Sequence, residues 1–283
     1  MKTYLDCLPC FVRQALDAAR MATADEKIHV DVLRGVLAAA AGMKFDQSPP
    51  VMGQQIHRIV KTLSGNDDPY KEVKTHFTEY ALRLYPDCRE AVEQSDSPFE
   101  TALRFAAAAN AIDFGAVTEV EQPDSPVFIE QAMSATLFGH VDALQQAAGS
   151  AEKILYLGDN AGEIVFDRLL IEQLPIEKVV FAVRGAPVIN DATRADAIAA
   201  GITGLVTVLD NGSDAPGTVL AECSDRFRRH FDAADLVISK GQGNYETLSD
   251  VDKKIFFILK VKCRVIARHI GYTPGSLVLK EAG

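Results

Sequence analysis

From about residue 150 onward, short apolar runs alternate with amphipathic stretches, and this alternation constrains the fold more than any other feature of the chain. The runs KILYLG (153–158), KVVFAVR (178–184), GLVTVLD (204–210), DLVISK (235–240) and IFFILK (255–260) are almost continuously apolar, the pattern of strands covered on both faces. A sixth run, SLVLK (276–280), lies near the terminus. Between them, GEIVFDRLLIEQLP, NDATRADAIAAG, APGTVLAECSDRFRRHFDAA and CRVIARHIG fit helices packed on the sheet faces. Strands that each lead into a helix build a mostly parallel sheet, so the expected class is α/β, with strand order left open.

The first half has a different texture. CFVRQALDAARMAT, VDVLRGVLAAAAGM, PVMGQQIHRIVKTLSG, YKEVKTHFTEYALRLYPDC and PFETALRFAAAANAIDFG repeat apolar residues at helical intervals and stop at Pro, Gly, Asp or Asn. VFIEQAMSATLFGHVDALQQAAG adds one or two more helices. The expected organisation is a predominantly α-helical region over residues 1–148 followed by an α/β region over residues 149–283.

A chain of 283 residues, 48% hydrophobic and 24% charged, has enough apolar surface for a substantial core. Its net charge of -10 argues against a nucleic-acid partner, and an anionic substrate would need a local positive feature such as a metal ion or a lysine. No uninterrupted apolar run reaches membrane-spanning length, and the opening MKTYLDCLPCFVRQALDAAR lacks the apolar core of a targeting segment. A cytoplasmic protein without a membrane partner is expected, and the pattern specifies no oligomeric partner. Five cysteines in a chain this long do not form a disulfide scaffold, so reduced thiols are expected.

In a parallel sheet, ligands gather where the strands end and the strand-to-helix loops converge. LGDNAGE, RGAPVINDATRAD, LDNGSDAPGT, SKGQGNYE and LKVKCR occupy those positions, and all are polar. Asp159 and Asn160 sit before a helix, where capping is one reading. The other is a hard divalent cation faced by a carboxylate and a neutral amide oxygen, with Asp191, beside Asn190, as a matching ligand. Glu163, a turn beyond Asp159, can bind such an ion, bind its water or cap the first helical turn. Lys240 closes a strand before Gly241 and Gly243, whose turn exposes backbone N–H groups to an anion; an ordinary loop is the plainer reading. Ser213 and Asp214 form a sharp turn that reads as an Asx turn or as part of a site. Arg184, at a strand end, reaches either substrate or a salt-bridge partner. Asn110 and Asp113 read as pocket, cap or hydrogen-bonding residues, His230 as a helix-end or surface residue, and Lys262 and Cys263 as facing the pocket or packing into the next helix.

Cys7-x-x-Cys10 offers half a zinc site, a redox pair or two core thiols. Cys88, Cys223 and Cys263 supply no second close pair, and the strand-helix context of a dithiol enzyme is missing. H-E-x-x-H, G-x-S-x-G and Walker A patterns do not occur. The turn GDNAG lacks G-x-G-x-x-G spacing, which disfavours a nucleotide or S-adenosylmethionine site.

Taken together, CLPCFVRQAL, NAIDFG, LGDNAGEIVFD, VRGAPVINDAT, DNGSDAPGT, SKGQGNYE and FFILKVKCRVIA resemble the DUF89 family, also described as damage-control phosphatases or ARMT1-like proteins. The resemblance runs over nearly the whole chain and points to the stand-alone members with an N-terminal CxxC, matched by Cys7 and Cys10. It implies a three-layer α/β/α domain beside a helical N-terminal region. It also implies metal ligation by Asp159, Asn160 and Asp191, a substrate or outer contact at Glu163, and a phosphate contact at Lys240. Gly241, Ser213 and Asp214 complete the expected substrate side. The implied activity is metal-dependent hydrolysis of small phosphorylated metabolites with Mn²⁺, Mg²⁺, Co²⁺ or Ni²⁺, with Asp214 in reserve as nucleophile or general base. KGQGNYE differs from the carbohydrate-phosphate branch. Rival readings are an S-adenosylmethionine-dependent methyltransferase and a noncatalytic binder of a phosphometabolite.

Overall fold

The computed structural model describes residues 1–110 and 124–282. Seven strands form one sheet: β1 (Leu137–Phe138), β2 (Ile154–Leu157), β3 (Val179–Val183), β4 (Thr207–Asp210), β5 (Leu236–Lys240), β6 (Ile255–Lys260) and β7 (Leu277–Ala282). Their spatial order is β1-β7-β6-β5-β2-β3-β4, parallel except for the β6–β7 pair. All six expected strands form, the last as the antiparallel one. The two-residue β1, which pairs with β7, carries too short a pattern to be read.

Twelve α-helices are described: α1 (Cys7–Ala22), α2 (Glu26–Gly42), α3 (Pro49–Ser64), α4 (Lys71–Glu93), α5 (Pro98–Ala109), α6 (Ser125–Ser134), α7 (Val141–Ser150), α8 (Ile164–Ile171), α9 (Arg194–Ala199), α10 (Asp225–Ala233), α11 (Gln242–Leu248) and α12 (Arg264–Ile270). The helix α4 continues past Pro86, where the sequence pattern places a stop. Cys88 and Val92 beyond it are buried in the core, and that packing outweighs the backbone hydrogen bond that proline removes.

The period-two rule assigns the two faces of the sheet. Ile154 and Tyr156 of β2, Leu236 and Ile238 of β5, and Phe256 and Ile258 of β6 enter one core with α4–α8. Leu155, Leu157, Val237, Phe257 and Leu259 enter a second core with α10, α11 and α12. The result is a three-layer α/β/α sandwich. A third cluster, built from Phe11, Ala15, Val32, Val36, Ile56 and Val60, joins α1, α2 and α3.

Strands β2, β3 and β4 step outward to one edge, and the chain then returns to lay β5 against the opposite side of β2. The order therefore reverses between β2 and β5, and in an open parallel sheet a crevice opens at the carboxyl ends of such a strand pair. Asp159 and Asn160 follow β2, and Lys240 ends β5.

Candidate active site

Backbone pairing joins the loops after β2 and β3. Asn160 and Asp191 form an isolated antiparallel bridge, Ala161 N donates to the Asn190 carbonyl at 2.9 Å, and Ala192 N donates to the Asp159 carbonyl at 2.7 Å. Three residues far apart or adjacent in sequence are thereby brought to one place, and all three are buried.

None of them caps a helix. The helix α8 begins at Ile164 with Glu163 at its N-cap position, and no side chain closes that cap. Capping drops out as the account of Asp159, Asn160 and Glu163. Their side chains are committed elsewhere. Asn160 Nδ2 donates to Asp159 Oδ2 at 3.0 Å and to Glu163 Oε2 at 2.8 Å. Asn110 Nδ2 donates to the same two oxygens at 3.1 and 2.8 Å, while its Oδ1 accepts from Lys260 N. Asn110 therefore belongs to the cluster; Asp113 lies outside the described residues.

This pattern leaves one oxygen open on each of three residues. Asp159 Oδ2 is held by two amides, which leaves Oδ1; both contacts of Asn160 use Nδ2, which orients its Oδ1 elsewhere. Asp191 Oδ2 accepts from Arg184 Nε at 2.6 Å, which leaves its Oδ1. Two carboxylate oxygens and one amide oxygen form a hard donor set suited to Mg²⁺ or Mn²⁺. Among the described residues no group of three or more His, Cys, Asp or Glu side chains could hold an ion, so an ion held here would need the amide of Asn160 as a ligand.

Charge points the same way. Asp159, Glu163, Asp167 and Asp191 are buried together with Lys240 and Arg184, and four negative against two positive leaves this group a formal charge of -2. Burial, then repulsion from Glu163 and Asp191, pushes the Asp159 pKa up to about 8. Burial also raises Asp191, with Arg184 opposing the shift. A divalent cation would supply the positive charge that this cluster lacks.

Lys240 differs from its expected role. Its Nζ donates to Glu163 Oε1 and Asp167 Oδ1, each at 2.6 Å, and to the Ala106 carbonyl at 2.8 Å. An ammonium has three donors, all of which are engaged, and the side chain is fully buried. Burial acts to lower its pKa, but Asp167 and Glu163 outweigh it and hold the lysine charged. As placed, Lys240 is a counterion inside the wall and has no donor for phosphate. Glu163 is engaged with it: Oε1 accepts from Lys240 and Oε2 from two amides, which ties this carboxylate into the wall.

The remaining expected contacts divide. A Cβ built on Gly241 would overlap the Asp159 carboxylate, and its φ of 82° lies where glycine is favoured. Its N–H, however, donates to the Ile258 carbonyl, so it packs against the site and offers no donor to an anion. Ser213 Oγ accepts from Ala215 N, closing its own turn. Asp214 accepts from Gln54 at 2.7 Å and from Arg58 at 2.9 and 2.6 Å. Burial raises the Asp214 pKa, but those bonds outweigh it and leave the group below the ordinary range. A carboxylate so engaged docks α3 onto the loop after β4, and it is a poor nucleophile or base.

Arg184 is buried, with Nη1 donating to Asn244 Oδ1 at 3.1 Å. Lys262 is exposed and forms no ion pair with a described residue, yet its charge lowers the pKa of both Asp159 and Asp191. His230 is exposed on α10, and Cys263 Sγ caps α12 by accepting from Ile266 N. Cys7 is partly buried and Cys10 exposed, both as free thiols, and burial raises the Cys7 pKa. Asp167 and Asn244 escaped the sequence reading. Asp167 had a signal, a carboxylate one turn after Glu163 inside an apolar helix, which demands a buried partner.

The Damage-control phosphatase ARMT1-like domain model matches residues 3–278. The chain is 35% identical to a damage-control phosphatase of Archaeoglobus fulgidus, across 97% of each chain. It is 34% identical to a damage-control phosphatase of Pyrococcus horikoshii, covering 98% of this chain and 97% of that one. The crystal structure of a DUF89 family protein from Pyrococcus horikoshii superposes with a TM-score of 0.91 at 32% identity, covering both chains completely.

Proposed function

We propose, for a chain that belongs to the damage-control phosphatase ARMT1-like family, that its activity is metal-dependent hydrolysis of small phosphorylated metabolites. The observation that carries this reading is the trio of open oxygens, Asp159 Oδ1, Asn160 Oδ1 and Asp191 Oδ1, inside a buried cluster two positive charges short of balance. These three residues would hold the ion. A divalent cation, when bound, polarises a phosphoryl oxygen and acidifies water.

The chain's own residues supply the frame. Asn110 and Asn160 fix the Asp159 carboxylate, Glu163 anchors both amides, and Lys240 holds Glu163 and Asp167 in place without touching the trio. With Lys240 engaged in the wall, the phosphate-facing ammonium in this reading is Lys262 at the rim. Such fixed charges stabilise a transferring phosphoryl group without reorganising during reaction. The loop after β2 fits nucleotide pyrophosphate or S-adenosylmethionine poorly, because a Cβ on Gly162 would lie 2.8 Å from the Phe77 carbonyl; that glycine faces α4.

The test is phosphate release from an aryl phosphate and from a panel of small phosphate esters with Mn²⁺, Mg²⁺, Co²⁺ or Ni²⁺. Release should stop with chelator and in Asp159→Asn and Asp191→Asn. Metal-loaded protein that binds phosphate esters without turnover would make it a sensor; S-adenosylmethionine binding in calorimetry with no metal-dependent hydrolysis would make it a methyltransferase.

A further inference from the structure

We infer that Arg184 donates, through Nη2, a hydrogen bond to an anionic oxygen of the ligand, an inference that rests on the phosphatase reading above. The guanidinium is held on two edges. Nε donates to Asp191 Oδ2 at 2.6 Å, and Nη1 donates to Asn244 Oδ1 at 3.1 Å with Thr218 Oγ1 at 3.5 Å. Asn244 cannot flip away, because its Nδ2 donates to the carbonyls of Lys240 and Gly158 while its Oδ1 also accepts from Thr218.

The remaining edge is open. Nη2 is buried and meets no acceptor; Asp159 Oδ1 lies 3.8 Å from it, beyond hydrogen-bond reach. A guanidinium serving only as partner to Asp191 would present a two-pronged contact, Nε and Nη2 together on one carboxylate. Here Nε alone bonds to Asp191, and Nη2 lies 3.8 Å from Asp159 Oδ1. A buried, charged donor without an acceptor is costly to keep, and such groups are rare in folded proteins. The position beside the open oxygens of Asp159 and Asp191 is where the oxyanion of a ligand would sit against the cation, and a tetrahedral phosphoryl group carries oxygens enough to meet both.

The test separates charge from geometry. Arg184→Lys keeps a cation beside Asp191 and loses the planar edge, while Arg184→Gln loses the charge as well. Binding of Mn²⁺ alone, then of inorganic phosphate to the Mn²⁺-loaded protein, is measured by calorimetry. Arg184→Lys should bind Mn²⁺ within about threefold of the parent and bind phosphate roughly ten- to a hundredfold more weakly, the weight of one charge-assisted hydrogen bond. Phosphate affinity unchanged in both variants overturns the role of Arg184 and leaves the phosphatase reading intact. A loaded parent protein that binds no phosphate overturns the reading and the inference together. Should the variants fold poorly, a tungstate-soaked crystal of the metal-loaded parent decides: an oxygen within hydrogen-bond distance of Nη2 supports the role, and an oxyanion placed away from it refutes it.

Discussion

Replacing Lys240 by methionine tests whether this lysine is a counterion of the wall or a ligand of the substrate. Methionine keeps much of the length and the apolar stem but removes three donors that now serve Glu163, Asp167 and the Ala106 carbonyl. Removing one member of a buried ion pair leaves an uncompensated charge and costs about 3–5 kcal/mol. Here two carboxylates lose the same partner, so the upper part of that range is expected at pH 8. Burial, opposed chiefly by Lys240, already lifts the Asp167 pKa to about 6. Without Lys240 the Asp167 carboxyl holds its proton more tightly, so the loss should shrink as the pH falls to 5 and that group neutralises. Urea unfolding followed by circular dichroism at the two pH values measures both quantities. A loss of under about 1 kcal/mol at pH 8, joined to weak phosphate binding, would refute the counterion argument and restore Lys240 as a phosphate contact.

Glu246→Gln should stabilise the protein at pH 8 by up to roughly 3 kcal/mol, because burial pushes the Glu246 pKa up to about 7 from 4.5. The folded state holds that proton more tightly, so the penalty is absent below pH 4.5 and complete above 7; melting scans across that window should show the gain growing with pH, and a constant gain would exclude the cause. Gly241→Ala should abolish Mn²⁺ binding in calorimetry by displacing the Asp159 carboxylate, whereas Gly65→Ala, at φ 69° with open space around it, should cost about 1 kcal/mol and leave binding unchanged. Asp214→Asn should lower stability by about 1–2 kcal/mol in urea unfolding while retaining Mn²⁺ binding and most phosphate release; loss of turnover with stability intact would return Asp214 to the chemistry.

The strands after residue 150 were legible because burial on both faces writes an apolar run that little else produces, and the placement of polar residues at their ends follows from parallel topology. The order of the sheet is set by which helices cover which strands, and a local pattern carries no such information. The convergence of Asp159, Asn160 and Asp191 was legible as two acidic loops after consecutive strands of one parallel sheet, and the backbone bridge between them realises it. The partners of each oxygen were not. Lys240 and Lys262 look alike in sequence as lysines at or just past the ends of strands, yet one is sealed between Glu163 and Asp167 and the other stays at the surface. That difference depends on Asp167 and Ala106, contributed by α8 and α5, which no spacing rule connects to a residue at the end of β5.

The helical layer of α1–α3 contributes to this site without lending it a reacting group. Ile189, two residues before Asp191, has φ of 44°, a left-handed conformation that a β-branched residue adopts only when its surroundings enforce it. Its side chain packs against the cluster formed by α1, α2 and α3, and Lys61 of α3 donates to the carbonyl of Pro187 in the same loop. Arg58 and Gln54 of the same helix hold Asp214 in the next loop. One helix therefore grips the loops after β3 and β4 through three polar side chains, while apolar contacts from its layer hold the strained residue. Strain of this kind persists only where packing over-determines it. The loop is thus held so that Asn190 pairs with Ala161 and Asp191 faces Asn160, and the direction of Asp191 is set as much by a helix more than a hundred residues earlier as by its own strand.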